Sequence, residues 1–207
     1  MKTTTTFLVM LLFAVMTCAT ASADTLIVGF ENGDDSFNQA SDGASLSLGT
    51  TGATEGTMAL QLTSDGGFEF TQGFGFFAAL TDPTNDTIKF DVLFTPDDPT
   101  TVNFSQVQFG INSDGSTPGF QFGPTAFAVT PGTSTAVELN FSDLPQFPLD
   151  GNETFAGLIL ITNTDEGAGS GVWSFDNIRL HTIAVPEPSS LALIGGLGML
   201  GLLRRKK

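Results

Sequence analysis

Ile88-Lys89-Phe90-Asp91-Val92-Leu93-Phe94 places Ile88, Phe90, Val92 and Phe94 on one parity. Successive side chains of an extended chain point to opposite faces, so this spacing predicts a strand with one face in a core. The same period recurs on both sides of it. Met58, Leu60 and Leu62 alternate with Ala59 and Gln61, and Val137, Leu139 and Phe141 repeat the pattern. Phe68, Phe70, Phe74 and Phe76 share a parity, with Gly67, Gly73 and Gly75 on the other. Phe155 to Thr162 is a more continuous apolar run, as expected of a central strand covered on both faces.

Turn signals separate these runs: Asn32-Gly33, Asp65-Gly66, Asp82-Pro83, Asp114-Gly115, Pro131-Gly132 and Asp150-Gly151. Long stretches of helix-forming residues are absent from the middle of the chain. The expected fold is all-β, a single jelly-roll-like antiparallel β-sandwich. An N-terminal signal helix and a C-terminal hydrophobic helix flank it.

The two ends differ from the middle. Lys2 and the apolar run Phe7 to Met16 precede the small residues Ala21-Ser22-Ala23. That is the pattern of a cleaved export leader over residues 1–23. Cys18, the one cysteine, lies inside it, so residues 24–183 hold no disulfide and no thiol. At the other end, Val185-Pro186-Glu187-Pro188-Ser189-Ser190 precedes an apolar run, Leu191 to Leu203, and then Arg204-Arg205-Lys206-Lys207. The run would reach roughly 20 Å as a helix, short of the roughly 30 Å of bilayer hydrocarbon. Its four glycines weaken it further, which suits a transient stop in the inner membrane. The terminal basic cluster should stay cytoplasmic, leaving the motif outside.

These three parts resemble the PEP-CTERM sorting signal of Gram-negative bacteria over 184–207. The resemblance implies that a membrane-embedded exosortase recognises Val185, Pro186, Glu187 and Pro188. It places the mature protein at the cell surface or outside it.

Residues 24–183 carry two basic residues, Lys89 and Arg179, against 21 acidic ones, a net charge of −19. Such a surface repels nucleic acid, whose binding requires cations against phosphate. The chain has 20 Phe, one Trp and no Tyr. Rings without a polar handle are expected mainly as core filling. Trp173 has two readings, core packing or a ligand face. Gln106 and Gln108, on the strand expected over 102–111, are candidates for the same face. No catalytic signature is present: His181 is the only histidine, and no P-loop, Cys nucleophile or His-rich zinc set can be assembled. The chain reads as non-catalytic.

Trp173-Ser174-Phe175-Asp176-Asn177-Ile178-Arg179-Leu180 resembles the closing strand of jelly-roll carbohydrate-binding modules and related galactose-binding-like domains. Leu26-Ile27-Val28-Gly29-Phe30-Glu31 is similar to their opening strand, and Gly52 to Leu62 to the segment that follows. The resemblance implies a structural Ca²⁺ held by Glu31, Glu55 and Asp176, with the Thr57 carbonyl as a further ligand. These are the hard oxygen donors that Ca²⁺ requires. Two functions stay open: a module that binds extracellular polysaccharide, or a structural surface or biofilm-matrix protein with no glycan ligand.

Overall fold

A computed structural model describes residues 22–33, 36–114, 119–144, 149 and 152–183. The leader over 1–23 lies almost wholly outside these residues, and the sorting tail wholly outside. Among the described residues no helix is long and apolar enough to cross a membrane.

The described strands are β1 (Ala23–Val28), β2 (Phe37–Ala40), β3 (Ser45–Gly49), β4 (Ala59–Ser64), β5 (Phe68–Phe74) and β6 (Asn85–Pro96). They continue with β7 (Ser105–Ser113), β8 (Phe120–Phe122), β9 (Phe127–Ala128), β10 (Thr135–Asn140), β11 (Ala156–Thr164) and β12 (Gly171–Thr182). One short helix, α1 (Phe77–Thr81), links β5 to β6. One sheet has the order β10-β6-β12-β4-β3, with β1 also on β12. The other has the order β2-β5-β11-β7-β8, with β9 on β7. Every pairing whose register is resolved is antiparallel. The expected all-β sandwich is what forms.

The core lies between the sheets. Ile88, Phe90, Val92 and Phe94 of β6 are buried in it, as their parity requires. They meet Val137 and Leu139 of β10 and Trp173 and Phe175 of β12. β12 changes parity midway. Trp173 and Phe175 face the core, then Ile178 and Leu180 do. A bulge between Asp176 and Arg179 makes the switch, and Asn177 takes φ 56° there. Such a bulge adds one residue to a strand and re-aims its neighbours. Here it lets four apolar residues of uneven spacing reach one core.

β11 occupies the centre of its sheet. Leu158 and Leu160 point to the core, while Ile159 and Ile161 face outward and are still only 2% exposed. Neighbouring side chains on the outer face cover them.

β5 corrects the expectation for its rings. Phe68, Phe70 and Phe74 share register rows with outward-facing β11 residues, so they lie on the outer face. Glu69, Thr71 and Gly73 face inward instead. At Gly73 the Phe37 ring fills the inner side, and a Cβ there would come 2.7 Å from it. The inner face of β5 must therefore stay small where β2 crosses it.

Candidate glycan-binding face

The outer face of the β2-β5-β11-β7-β8 sheet is a lattice fixed by strand register. Its first row runs Phe74, Gly157, Asn112, Phe120. The second runs Gln72, Ile159, Gly110, Phe122, and the third Phe70, Ile161, Gln108. The fourth is Phe68, Asn163, Gln106 and Ala128. The floor along β11 is small or aliphatic, and rings and amides stand on either side. No residue of these rows carries a charge, in a domain whose net charge is −19.

The face also gathers exposed rings. Phe68 is 61% exposed, Phe120 57% and Phe122 44%. Phe120 and Phe122 lie 6.2 Å apart with rings nearly parallel at 11°. Phe74 meets Phe155 edge-on at 6.0 Å. Exposed apolar groups this close together cost free energy in water and mark contact surfaces. Gln108 of β7 donates its amide N–H to the carbonyl of Gly123, the residue after β8, 2.5 Å away.

Gln106 and Gln108 lie on this face, as their alternation with Val107 and Phe109 requires. Trp173 does not. It is fully buried and stacks on Phe94 at 4.3 Å and 16°. Its reading as part of a ligand face is corrected to core packing, because its parity on β12 is that of Phe175 and points between the sheets. Sequence reasoning missed the β5 and β8 rings. Their alternation was legible, but parity does not say which face meets the core.

The four residues expected to hold Ca²⁺ lie on and beside the loop between β3 and β4, which crosses the outer side of β12, but their side chains do not converge on one point. Asp176 is fully buried. Its Oδ2 accepts the backbone N–H of Thr54 at 2.6 Å and of Glu55 at 2.7 Å. Glu31 accepts the N–H of Thr57 at 2.6 Å and of Met58 at 2.7 Å, and the Thr57 hydroxyl at 3.0 Å. Glu55 reaches back to Gly29, where a Cβ would come 2.8 Å from its Oε2. Gly52 takes φ +82° in this loop, and a Cβ there would overlap Ser174.

The chemistry of this corner fits a cation. Asp176 Oδ1 is buried and has no hydrogen-bond partner. Asp91 stands opposite Asp176 in the β6–β12 register, and like charges in that relation repel. Thr54 and Asn177 each donate to Asp91, at 2.6 and 2.9 Å, but neither is a cation. Among the described residues no three His, Cys, Asp or Glu side chains converge as a metal cluster. The unpartnered Asp176 Oδ1 is the atom of this corner that a cation would satisfy.

The Met58 and Thr57 N–H groups hold the Glu31 carboxyl below its ordinary value of 4.5. A depressed carboxylate contributes stability above its unfolded pKa and loses it as pH falls through the folded value. Glu31→Gln should thus lower the melting temperature at pH 7. The gap from wild type should close as pH falls from 4.5 through the lowered Glu31 pKa. Thermal melts across that range check this, and a gap independent of pH contradicts it.

A shallow cavity of about 390 Å³ lies on the same outer face, lined by Lys89, Arg179, Asp24, Asp91, Glu138 and Asn177 among others. Lys89 pairs with Asp24 at 3.3 Å and with Glu138 at 3.9 Å. These pairs tie β1 and β10 to β6.

Three comparisons bear on these surfaces. Residues 184–207 match the PEP-CTERM protein-sorting motif. No curated protein matches the chain. Among solved structures, the chain is similar to the CBM22-1 xylan-binding domain from Paenibacillus barcinonensis Xyn10C, with TM-score 0.56 and 14% identity. That match covers 80% of this chain and 99% of the other. A family 11 carbohydrate-binding module from Clostridium thermocellum, in complex with a β-1,3-1,4-mixed-linked tetrasaccharide, gives TM-score 0.54 at 14% identity, covering 80% and 99%. The C-terminal family 22 module of Clostridium thermocellum Xyn10B gives 0.52 at 12%, covering 77% and 94%. At such identities the likeness is one of fold. The chain thus carries a PEP-CTERM sorting motif, which indicates an exported, exosortase-processed cell-surface protein, and a β-sandwich folded like those of carbohydrate-binding modules.

Proposed function

We propose that this protein is a non-catalytic glycan-binding module displayed at or beyond the cell surface, and that the outer face of the β2-β5-β11-β7-β8 sheet takes the glycan. The observation that carries this reading is the composition of that face, which sets rings and primary amides around a small or aliphatic floor and holds no charge in these rows. Sugar rings offer apolar C–H faces to aromatic rings and hydroxyls to amides. Pockets for such ligands combine an apolar lining with a few polar groups. The absence of cations on the face favours a neutral polysaccharide over an acidic one, and the −19 charge of the domain acts in the same direction. The fold neighbours described as a xylan-binding domain and as a module in complex with a β-1,3-1,4-mixed-linked tetrasaccharide support the reading by analogy.

We assign Ca²⁺ a structural role on the opposite sheet, at Asp176, Glu31, Glu55 and the Thr57 carbonyl. It would hold the β3–β4 loop and would leave the glycan face unaltered.

The test is a titration of residues 24–183 with neutral β-glucan and xylan oligosaccharides, and with an acidic oligosaccharide, in Ca²⁺ and in EDTA. Saturable binding of a neutral glycan is expected. Phe120→Ala combined with Phe122→Ala should weaken it about tenfold or more, since stacked rings contribute on the order of 1 kcal/mol each. Binding only to the acidic glycan, or binding unaffected by loss of both rings, would contradict the reading. No binding at all would favour a matrix protein acting through its charged surface.

A further inference from the structure

We infer that the folded sandwich itself restricts access of the processing enzyme to the sorting motif, and that the end of the sheet where β12 stops is the surface that meets this enzyme. The inference rests on the sorting motif and is independent of the glycan reading.

β12 is the strand that completes its sheet. It pairs with β6 along its length, with β4 over Gly171–Phe175, and with β1. Trp173, Phe175, Ile178 and Leu180, all from this one strand, belong to the core. The sandwich therefore cannot close until the chain is exported through Thr182. The sorting motif over 184–207 follows directly after it. Antiparallel sandwiches fold in roughly milliseconds to seconds, so folding follows directly on export.

The strand is pinned to its last residue. Thr182 is the register partner of Asn85, and its hydroxyl donates to Asn85 Oδ1 at 2.9 Å. His181 meets Asp86 Oδ1 through Nδ1 at 2.6 Å. The register shifts between His181 and Thr182, which leaves Asp86 as the extra residue of β6, beside His181. Beyond this point only Ile183, Ala184 and Val185 precede Pro186. Four residues span at most about 14 Å from Thr182 to Pro186 when fully extended. The enzyme that reads Pro186-Glu187-Pro188 is embedded in the membrane. It must therefore work within that distance of a rigid sheet end, or wait for the last residues of β12 to peel away. Strand ends open at low free-energy cost unless side chains fasten them, and here two side-chain bonds do so.

The test uses the full chain in its producing cells, with conversion of precursor to processed protein followed by pulse-chase. One variant carries a flexible Gly/Ser linker of about ten residues between Ile183 and Ala184. It lies outside the sandwich and leaves the fold alone. The other variant is N85C with T182C. Directly opposed strand residues suit a disulfide, and residues 24–183 contain no other cysteine. The linker should speed conversion several-fold. The disulfide should slow it several-fold, and dithiothreitol should restore the original rate in the same cells. A wild-type rate in either variant would overturn the inference. A linker that slows conversion would also overturn it, because the enzyme would then be reading the residues next to the sheet as part of its site.

Discussion

Replacing Trp173 with Ala is expected to lower the melting temperature of residues 24–183 by roughly 6–20 °C. Trp173 is fully buried, lies between Leu62 and Phe94 in the register, and stacks on the Phe94 ring. Removing a buried aromatic side chain costs about 3–5 kcal/mol in lost transfer energy and residual cavity. In a domain of this size each kcal/mol shifts the midpoint by roughly 2–4 °C. The indole N–H has no hydrogen-bond partner, so Trp173→Phe should cost less than the loss of indole area alone suggests. Differential scanning calorimetry of both variants checks this. A melting temperature within a few degrees of wild type for Trp173→Ala, together with lost glycan binding, would return Trp173 to the ligand face.

The second large effect belongs to Asp176. Asp176→Ala deprives the Thr54 and Glu55 N–H groups of their acceptor. Hydrogen bonds to a charged group contribute about 1.5–3 kcal/mol each, so a loss of about 3 kcal/mol or more is expected, concentrated in the β3–β4 loop. Two terms oppose it, namely relief of the unpartnered Oδ1 and of repulsion from Asp91. Bound Ca²⁺ would cancel both in the wild type. The wild type should therefore gain about 2.7 kcal/mol of stability at a hundredfold excess of Ca²⁺ over Kd, read as a higher melting temperature. That of Asp176→Ala should not respond. An equal response in both proteins would place the ion elsewhere. No response in either would leave Asp176 as a cap for two backbone N–H groups.

Much of this was legible in the chain. The alternation of β6 placed its inner face without ambiguity, because Lys89 and Asp91 cannot enter a core unpaired. The continuous run of β11 announced a strand covered on both sides. The tail announced itself by the order of its three parts. Two features were not legible, for physical reasons. β5 alternates Phe68, Phe70 and Phe74 with Glu69, Thr71 and Gly73, and hydrophobicity alone favours the rings inside. The Phe37 ring, about thirty residues earlier, takes the space over Gly73, a long-range contact that local spacing does not show. The face proposed to take glycan joins β5, β7, β8 and β11, and no local spacing links Phe122 to Gln72 across Ile159 and Gly110. The amide half was visible, since Gln106 and Gln108 alternate with Val107 and Phe109. The ring half became visible only with the register.

The most direct test of the central claim is to follow the backbone amide resonances of residues 24–183 while a neutral β-glucan tetrasaccharide is added. The account predicts saturable shifts confined to β5, β11, β7 and β8, centred on Ile159, Ile161, Gln108 and Phe122, and the same pattern in EDTA. Shifts on β6, β10 and β12 around Lys89 and Arg179, with that face silent, would contradict it.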